Sequence, residues 1–494
     1  MHIRQKTAEK LAIQNACAIL QNAYDDGVLQ NVDIIGDWGG DSMNKRHSMD
    51  FTTGSVSKKL VLFALPILAS NILQQLYNAA DRAVVGQFAG KTALAAVGST
   101  GSATTMLLNI FIGLAVGANI VSSNLLGARK TEELRRNMHT SILLALFCGV
   151  MLMGIGVFVC EPLLRLMSCP DTVIDQATLY MRIYFCGVPA SLMYNFGSGI
   201  LRTHGDSKRP MRILALSGIV NVVLNLILVI VFHMSVAGVA LATIASQYVT
   251  AVWVLLILFD PKGEYQLSVK ELKLHKKELI SIIRVGLPCG LNGIVYSFSN
   301  VVIQSTVNSF GDTLIAGNVA ADGITGFIYQ VIAATYSASV SFAGQCYGAG
   351  KIKRINRLMG TAMLLSSSVL AVLCGIMTAC PRLLLSIYNS DPTVIELGIP
   401  KMLIVGWAYI LYGLSDIILA CLRGMRKTAI PTVFNIMCVC GVRMFWVLFV
   451  FPLSPTTTVL YLCYPVSYTF SVAALGIYYI FVYRKKVKNH LAIT

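Results

Sequence analysis

The chain has 494 residues, of which 55% are hydrophobic and only 13% charged, with a formal charge of +16 and a mean hydropathy of +0.68. A soluble domain carries about a quarter charged residues, so this composition cannot cover a water-facing surface. The basic excess does not point to nucleic acid, because lysine and arginine sit in short clusters between apolar runs, the pattern of loops facing anionic lipid.

Residues 1–50 read as a polar N-terminal extension with a weak helical pattern at Leu11, Ile13, Ala16, Ile19 and Leu20. Residues 1–30 show no compact apolar core with a cleavage site, and Met43 and Met49 read as alternative starts. Beyond them, apolar runs long enough to cross about 30 Å of hydrocarbon recur near 58–84, 93–126, 138–160, 175–200, 211–232, 236–259, 281–307, 314–346, 358–380, 395–421, 431–452 and 458–483. The expected fold is therefore an all-α polytopic membrane protein of about twelve helices.

Arginine and lysine fill every second connection, at Arg129–Arg136, Arg202–Arg212, Lys262–Arg284, Lys351–Arg357, Arg423–Lys427 and Arg484–Lys488. The intervening loops are short or acidic. By the positive-inside rule the protein is a multi-pass plasma-membrane protein with both termini cytoplasmic. Landmarks also repeat. Leu65-Pro66 returns as Leu287-Pro288, Gly127-Ala128 as Gly348-Ala349, and Leu201-Arg202 as Leu422-Arg423. Two six-helix lobes related by a parallel repeat follow, an N-lobe at 51–259 and a C-lobe at 281–484. A basic linker at 260–280 joins them, and a basic tail occupies 485–494. Two lobes enclosing a cleft are the architecture of a secondary transporter.

The 13 cysteines lie mostly inside apolar runs and form no CxxC, so neither metal nor redox chemistry is indicated. Cys160, Cys169 and Cys380 fall near the predicted outer ends, with nothing in the sequence to pair them. There is no GxxxxGK[ST], HExxH or GxSxG motif, so ATP drive and catalysis have no visible equipment, and no cofactor or enzyme activity is expected.

What remains are polar groups at membrane depth. Asp81 lies about twenty residues along the first span, roughly 30 Å from its cytoplasmic end. Gln74, Asn78 and Asp81 share one helix face, with Gln75 and Tyr77 beside them, and such a face is too costly for lipid contact. Asn221 and Asn225 stack at i, i+4 in the fifth span, either as a structural ladder or as partners of Asp81. Asn195 and Asp416 occupy repeat-equivalent positions, an amide in one lobe and an acid in the other. Asp322 is a further acid, and Arg443 could neutralise either Asp322 or Asp416. Met106, Tyr194, Tyr329 and Trp407 could wall a cavity suited to flat cations.

Thr53-Gly54-Ser55 leading into Leu65-Pro66, then Gln74-Gln75-Leu76-Tyr77-Asn78, Asp81 and Gly86, resembles bacterial members of the multidrug and toxic compound extrusion (MATE) family. Leu201-Arg202, Gly205-Asp206 and Pro210 are similar to that family's loop after span 4. The resemblance spans roughly residues 50–485 and implies a V-shaped antiporter exporting cationic, often aromatic, compounds in exchange for H⁺ or Na⁺. Its first-helix coupling acid matches Asp81, which could also hold Na⁺. The family's span-5 motif, Asn, three residues, Asp, reads here Asn221 to Asn225 without the acid. Some relatives carry a span-7 glutamate where this chain has Tyr296-Ser297-Phe298, and their span-10 acid falls near Tyr412, one turn before Asp416.

These readings assign ion coupling to Asp81, Gln75, Asn78, Asn195, Asn221 and Asn225. They assign substrate contact to Tyr77, Asp322, Tyr412, Asp416 and Arg443, in an acidic central cavity. Organic cations, the coupling ion and membrane lipid are the expected partners of a monomer. A flippase for a lipid-linked precursor is the alternative, expected to need a more basic cavity. A channel or an intramembrane enzyme is a remote alternative.

Overall fold

The computed structural model describes residues 49–166, 171–260, 265, 267–388 and 391–491. The N-terminal extension before Met49, including the pattern from Leu11 to Leu20, lies outside the described residues. Twelve long helices run through the described chain. In the first half they are α1 (Val56–Ala89), α2 (Lys91–Gly127), α3 (Thr131–Leu166), α4 (Asp171–Thr203), α5 (Lys208–Val231) and α6 (Ser235–Leu258). In the second they are α7 (Lys276–Asn308), α8 (Asp312–Gly348), α9 (Ile352–Ala379), α10 (Pro392–Gly424), α11 (Ala429–Leu453) and α12 (Thr457–Leu491).

Ten of the twelve are long and apolar enough to cross a membrane. The other two, α4 and α8, are enclosed: α4 packs on α2, α3 and α6, and α8 on α1, α2, α9 and α10. A helix surrounded by protein need not match the hydrocarbon, so it can afford more amides, hydroxyls and glycines.

The repeat is visible in the packing. Within the first half α3 packs on α4, α4 on α6, α2 on α4, α5 on α6, α1 on α5 and α2 on α3, and each of these pairs recurs six helices later. The turns that lead into α2 and α8 are built alike, by Gly90 at φ 90° and Gly311 at φ 95°. Only glycine takes that backbone without strain. The 260–280 linker is tied to α3, where Arg135 pairs with Glu271 at 2.5 Å and Ser268 N–H donates to His139 Nε2 at 3.2 Å.

The lobes meet along α2–α7, α2–α8 and α1–α8. On the central line Asn119 Nδ2 donates to the hydroxyl of Ser341 at 3.2 Å. Near the basic loops two reciprocal bonds clamp the lobes. Asn124 Nδ2 donates to the Gly424 carbonyl at 3.0 Å, and Gln345 Nε2 to the Thr203 carbonyl at 2.6 Å. Here the two backbones come so close that a Cβ on Gly127 would lie 2.0 Å from the Gln345 carbonyl oxygen. The strand-like segment before α1 crosses the same face. Met49 N–H donates to the His204 carbonyl, Phe51 N–H to Gln345 Oε1, and Arg354 Nε to the Phe51 carbonyl at 2.7 Å. The basic face is closed.

Candidate functional site: a polar N-lobe cavity

A cavity of about 230 Å³ lies inside the N-lobe, among α1, α4, α5 and α6. Gln74, Asn78 and Asp81 all line it, as the helical spacing predicts, together with Asn71, Tyr77, Tyr194, Asn195 and Asn221. Asn225 Nδ2 donates to Asp81 Oδ1 and reaches Asn221 Oδ1 at 3.4 Å. Thr243, on α6, lines the same cavity beside Asp81, with its hydroxyl donating to the Val239 carbonyl at 2.9 Å. Sequence reading missed Thr243, because an isolated threonine in an apolar run carries no signal.

Two features mark this cluster, although π-helical turns also occur in α11 of the other lobe. Asn225 Oδ1 is buried without a hydrogen-bond partner, although the same amide's nitrogen is engaged by Asp81. Widened π-helical turns begin shortly after Asp81, at Val85–Ala89, and directly after Asn225, at Leu226–Val231. Such turns concentrate at functional positions. Among the described residues Asp81 forms no ion pair; amides and hydroxyls surround its charge, and the base that acts on it is its chain neighbour Arg82.

The remaining candidates separate. Gln75 is absent from this lining and its amide lies toward α8, where a Cβ on Gly326 would stand 3.5 Å from its nitrogen. Tyr77 lines the cavity but its hydroxyl is committed to the Leu214 carbonyl at 2.6 Å, tying α1 to α5. Asn195 donates to the Ser191 carbonyl at 2.8 Å within α4.

Asp322 is not free. Lys401, a buried lysine on α10, pairs with it at 2.7 Å. The sequence pattern did not show that lysine as a partner, since it sits in the first third of the tenth helix. Arg443 does not neutralise an acid either. It is almost fully buried, bonded to Asn300 Oδ1 at 3.2 Å and Ser467 Oγ at 3.3 Å, with its guanidinium 4.3 Å from the Tyr464 ring centroid and 5.1 Å from that of Tyr468. Tyr412 is buried at the centre of this C-lobe cluster, within about 6 Å of the rings of Tyr329 and Tyr468. Asp416, one turn on, faces Arg423 at the next two turns of the same helix. With Lys401 and Arg443 buried in the C-lobe and Arg423 buried at the end of α10, the expectation of an acidic central cavity is corrected: acids and bases are both enclosed there.

The lobes differ most at the equivalents of Asp81 and Asn225. These are Ile303 and Trp446, which belong to one apolar cluster. Cys160 and Cys380 are free thiols, and Cys169 lies outside the described residues. No group of three or more histidine, cysteine, aspartate or glutamate side chains gathers among the described residues.

The model of the MatE family matches this chain twice, over residues 66–227 and 288–448, once per lobe. The chain belongs to the MatE family. A MatE relative, the probable multidrug resistance protein YoeA of Bacillus subtilis, is 29% identical over 87% of this chain and 95% of its own length. A second MatE relative, the probable multidrug resistance protein YpnP of the same organism, is 27% identical over 81% and 88%. The fold matches the outward-facing structure of a multidrug resistance MATE transporter at TM-score 0.81, with 22% identity over 90% of this chain and 99% of that one. MatE membership makes this a multi-pass membrane transporter of the multidrug efflux family.

Proposed function

We propose that the chain is an antiporter that exports amphiphilic organic cations against an H⁺ or Na⁺ gradient, with Asp81 as the coupling group and the basic face in the cytoplasm. The observation that carries this is the Asp81 carboxylate, which lines the cavity without an ion pair, held by Asn225, whose carbonyl oxygen is buried behind it and unpartnered. Two oxygens left open at membrane depth suit a hard cation, as a proton on Asp81 or as Na⁺ shared by both. Binding that cation removes the charge that would hold a cationic substrate. The two are therefore negatively linked, and that linkage converts an ion gradient into efflux.

The test is efflux of a fluorescent organic cation from proteoliposomes with H⁺ and Na⁺ gradients imposed separately. Asp81→Asn is expected to keep its thermal unfolding profile while losing the gradient-driven component, about 5- to 150-fold for a coupling of ordinary strength. Wild-type transport by that variant under both gradients would remove Asp81 from the mechanism.

A further inference from the structure

Arg202 reads in the sequence as one of the basic residues of a loop. In the structure it lies in the last turn of α4, and its side chain lines two cavities at once. One is the Asp81 cavity. The other, about 130 Å³, lies between the lobes and is bounded by Asn119, Asn195, Arg202, Tyr336 and Ser337 among others. Asn195 and Arg202 are common to both, so the two spaces adjoin.

The guanidinium of Arg202 has no carboxylate partner among the described residues. Its Nε is buried without a hydrogen bond, and the ionisable side chain acting on it is the Tyr194 phenol. Its repeat equivalent, Arg423, stands in the last turn of α10 behind Tyr336, which lines the same space from the other lobe. Arg423 Nη1 donates to the Tyr336 hydroxyl at 2.5 Å, while its Nε and Nη2 are buried and unpartnered. Arg202 itself is half-buried, but its Nε is shut off from water without an acceptor, a cost that an oxyanion would remove because it matches the planar fork of a guanidinium. Neither space alone, about 230 and 130 Å³, reaches the roughly 300 Å³ of a drug-sized body; the two adjoining spaces together do, and the smaller one admits a carboxylate.

Direction completes the argument. α1 and α4 run antiparallel, so Asp81 lies toward the end of the N-lobe cavity away from the basic loops and Arg202 lies at the end nearest them. We propose that the Arg202 cavity is an oxyanion subsite, and that the substrates held best are aromatic zwitterions, with the cationic end toward Asp81 and a carboxylate at Arg202. This rests on the efflux reading above and narrows its substrate class.

The test uses the full chain in nanodiscs and two dyes that share one aromatic cation, rhodamine 110 with a free carboxylate and rhodamine 123 with the methyl ester in its place. Fluorescence anisotropy is expected to show the free acid bound about tenfold more tightly than the ester. Arg202→Gln is expected to collapse that ratio toward one, and Arg202→Lys, which keeps the charge without the fork, to retain part of it. Equal affinities for acid and ester in the wild type, or a ratio unchanged in Arg202→Gln, would overturn the subsite. Efflux of the ester from proteoliposomes is read separately. Its absence would count against the transport reading, and the binding ratio would still decide the subsite.

Discussion

Asp322 and Asp81 are both single acids in apolar helices, and their surroundings give them opposite roles. At Asp322 the carboxylate is half exposed and Lys401 is buried against it at 2.7 Å. Removing the acid alone strands a buried ammonium, whereas removing both leaves an apolar site. Asp322→Asn is therefore expected to destabilise by about 1–2 kcal/mol, discounted because the acid is partly solvated. The double variant Asp322→Asn with Lys401→Met should recover most of that loss, as thermal unfolding in detergent would show. A double variant as unstable as the single one would mean that the pair is not the source. Asp81 has no such base, and its substitution is expected to be silent in the same measurement while it abolishes coupling. Both acids were legible as residues that cost energy in a membrane. Which of them had a partner was not, because Lys401 is distant in sequence and carries no pattern that joins it to Asp322.

At the scale of elements, two of the three crossings that join the lobes, α2–α7 and α1–α8, are unequal. Between α2 and α7 the backbones touch through glycine. A Cβ on Gly113 would lie 2.1 Å from Gly290 N, and one on Gly117 would lie 2.5 Å from Gly286 Cα. The repeat-equivalent positions at the α1–α8 crossing are Ala334, Ala338, Ala64 and Leu68, whose side chains hold the backbones apart. Gly113→Val should thus cost at least about 1–3 kcal/mol through overpacking and lower the unfolding temperature. Gly154→Ala, on α3 with open space around its Cβ, should be neutral or slightly stabilising. Equal effects at the two sites would show that the α2–α7 seam tolerates separation. The glycines are visible in the sequence as packing residues, but their partners are set by helix crossings that no local pattern encodes.

At the scale of the whole molecule, the closed basic face depends on the pair Asn124–Gly424 and Gln345–Thr203, which exchange equivalent bonds across the centre. Each is a buried bond worth about 1 kcal/mol net. Losing both is about 2 kcal/mol, on the order of 30-fold in the balance between a closed and an open basic face. The double variant Asn124→Ala with Gln345→Ala is expected to shift the spin-label distance between the α2–α3 and α10–α11 connections toward longer values. An unchanged distribution would place the closure elsewhere, in the Met49–Phe51 segment or the α2–α8 contact.

Helix number, the parallel repeat and the polar face of α1 were determined by the sequence alone, because each is a local or periodic property. Apolar length sets a span, a recurring spacing sets a repeat, and i, i+4, i+7 spacing puts Gln74, Asn78 and Asp81 on one face. Pairing was decided only by the tertiary structure. Asn225 and Thr243 meet Asp81, Lys401 meets Asp322, three tyrosine rings enclose Arg443, and Arg202 turns from a loop into a cavity. Electrostatic roles depend on distances between helices, and one sequence carries no measure of those distances until the lobes are packed.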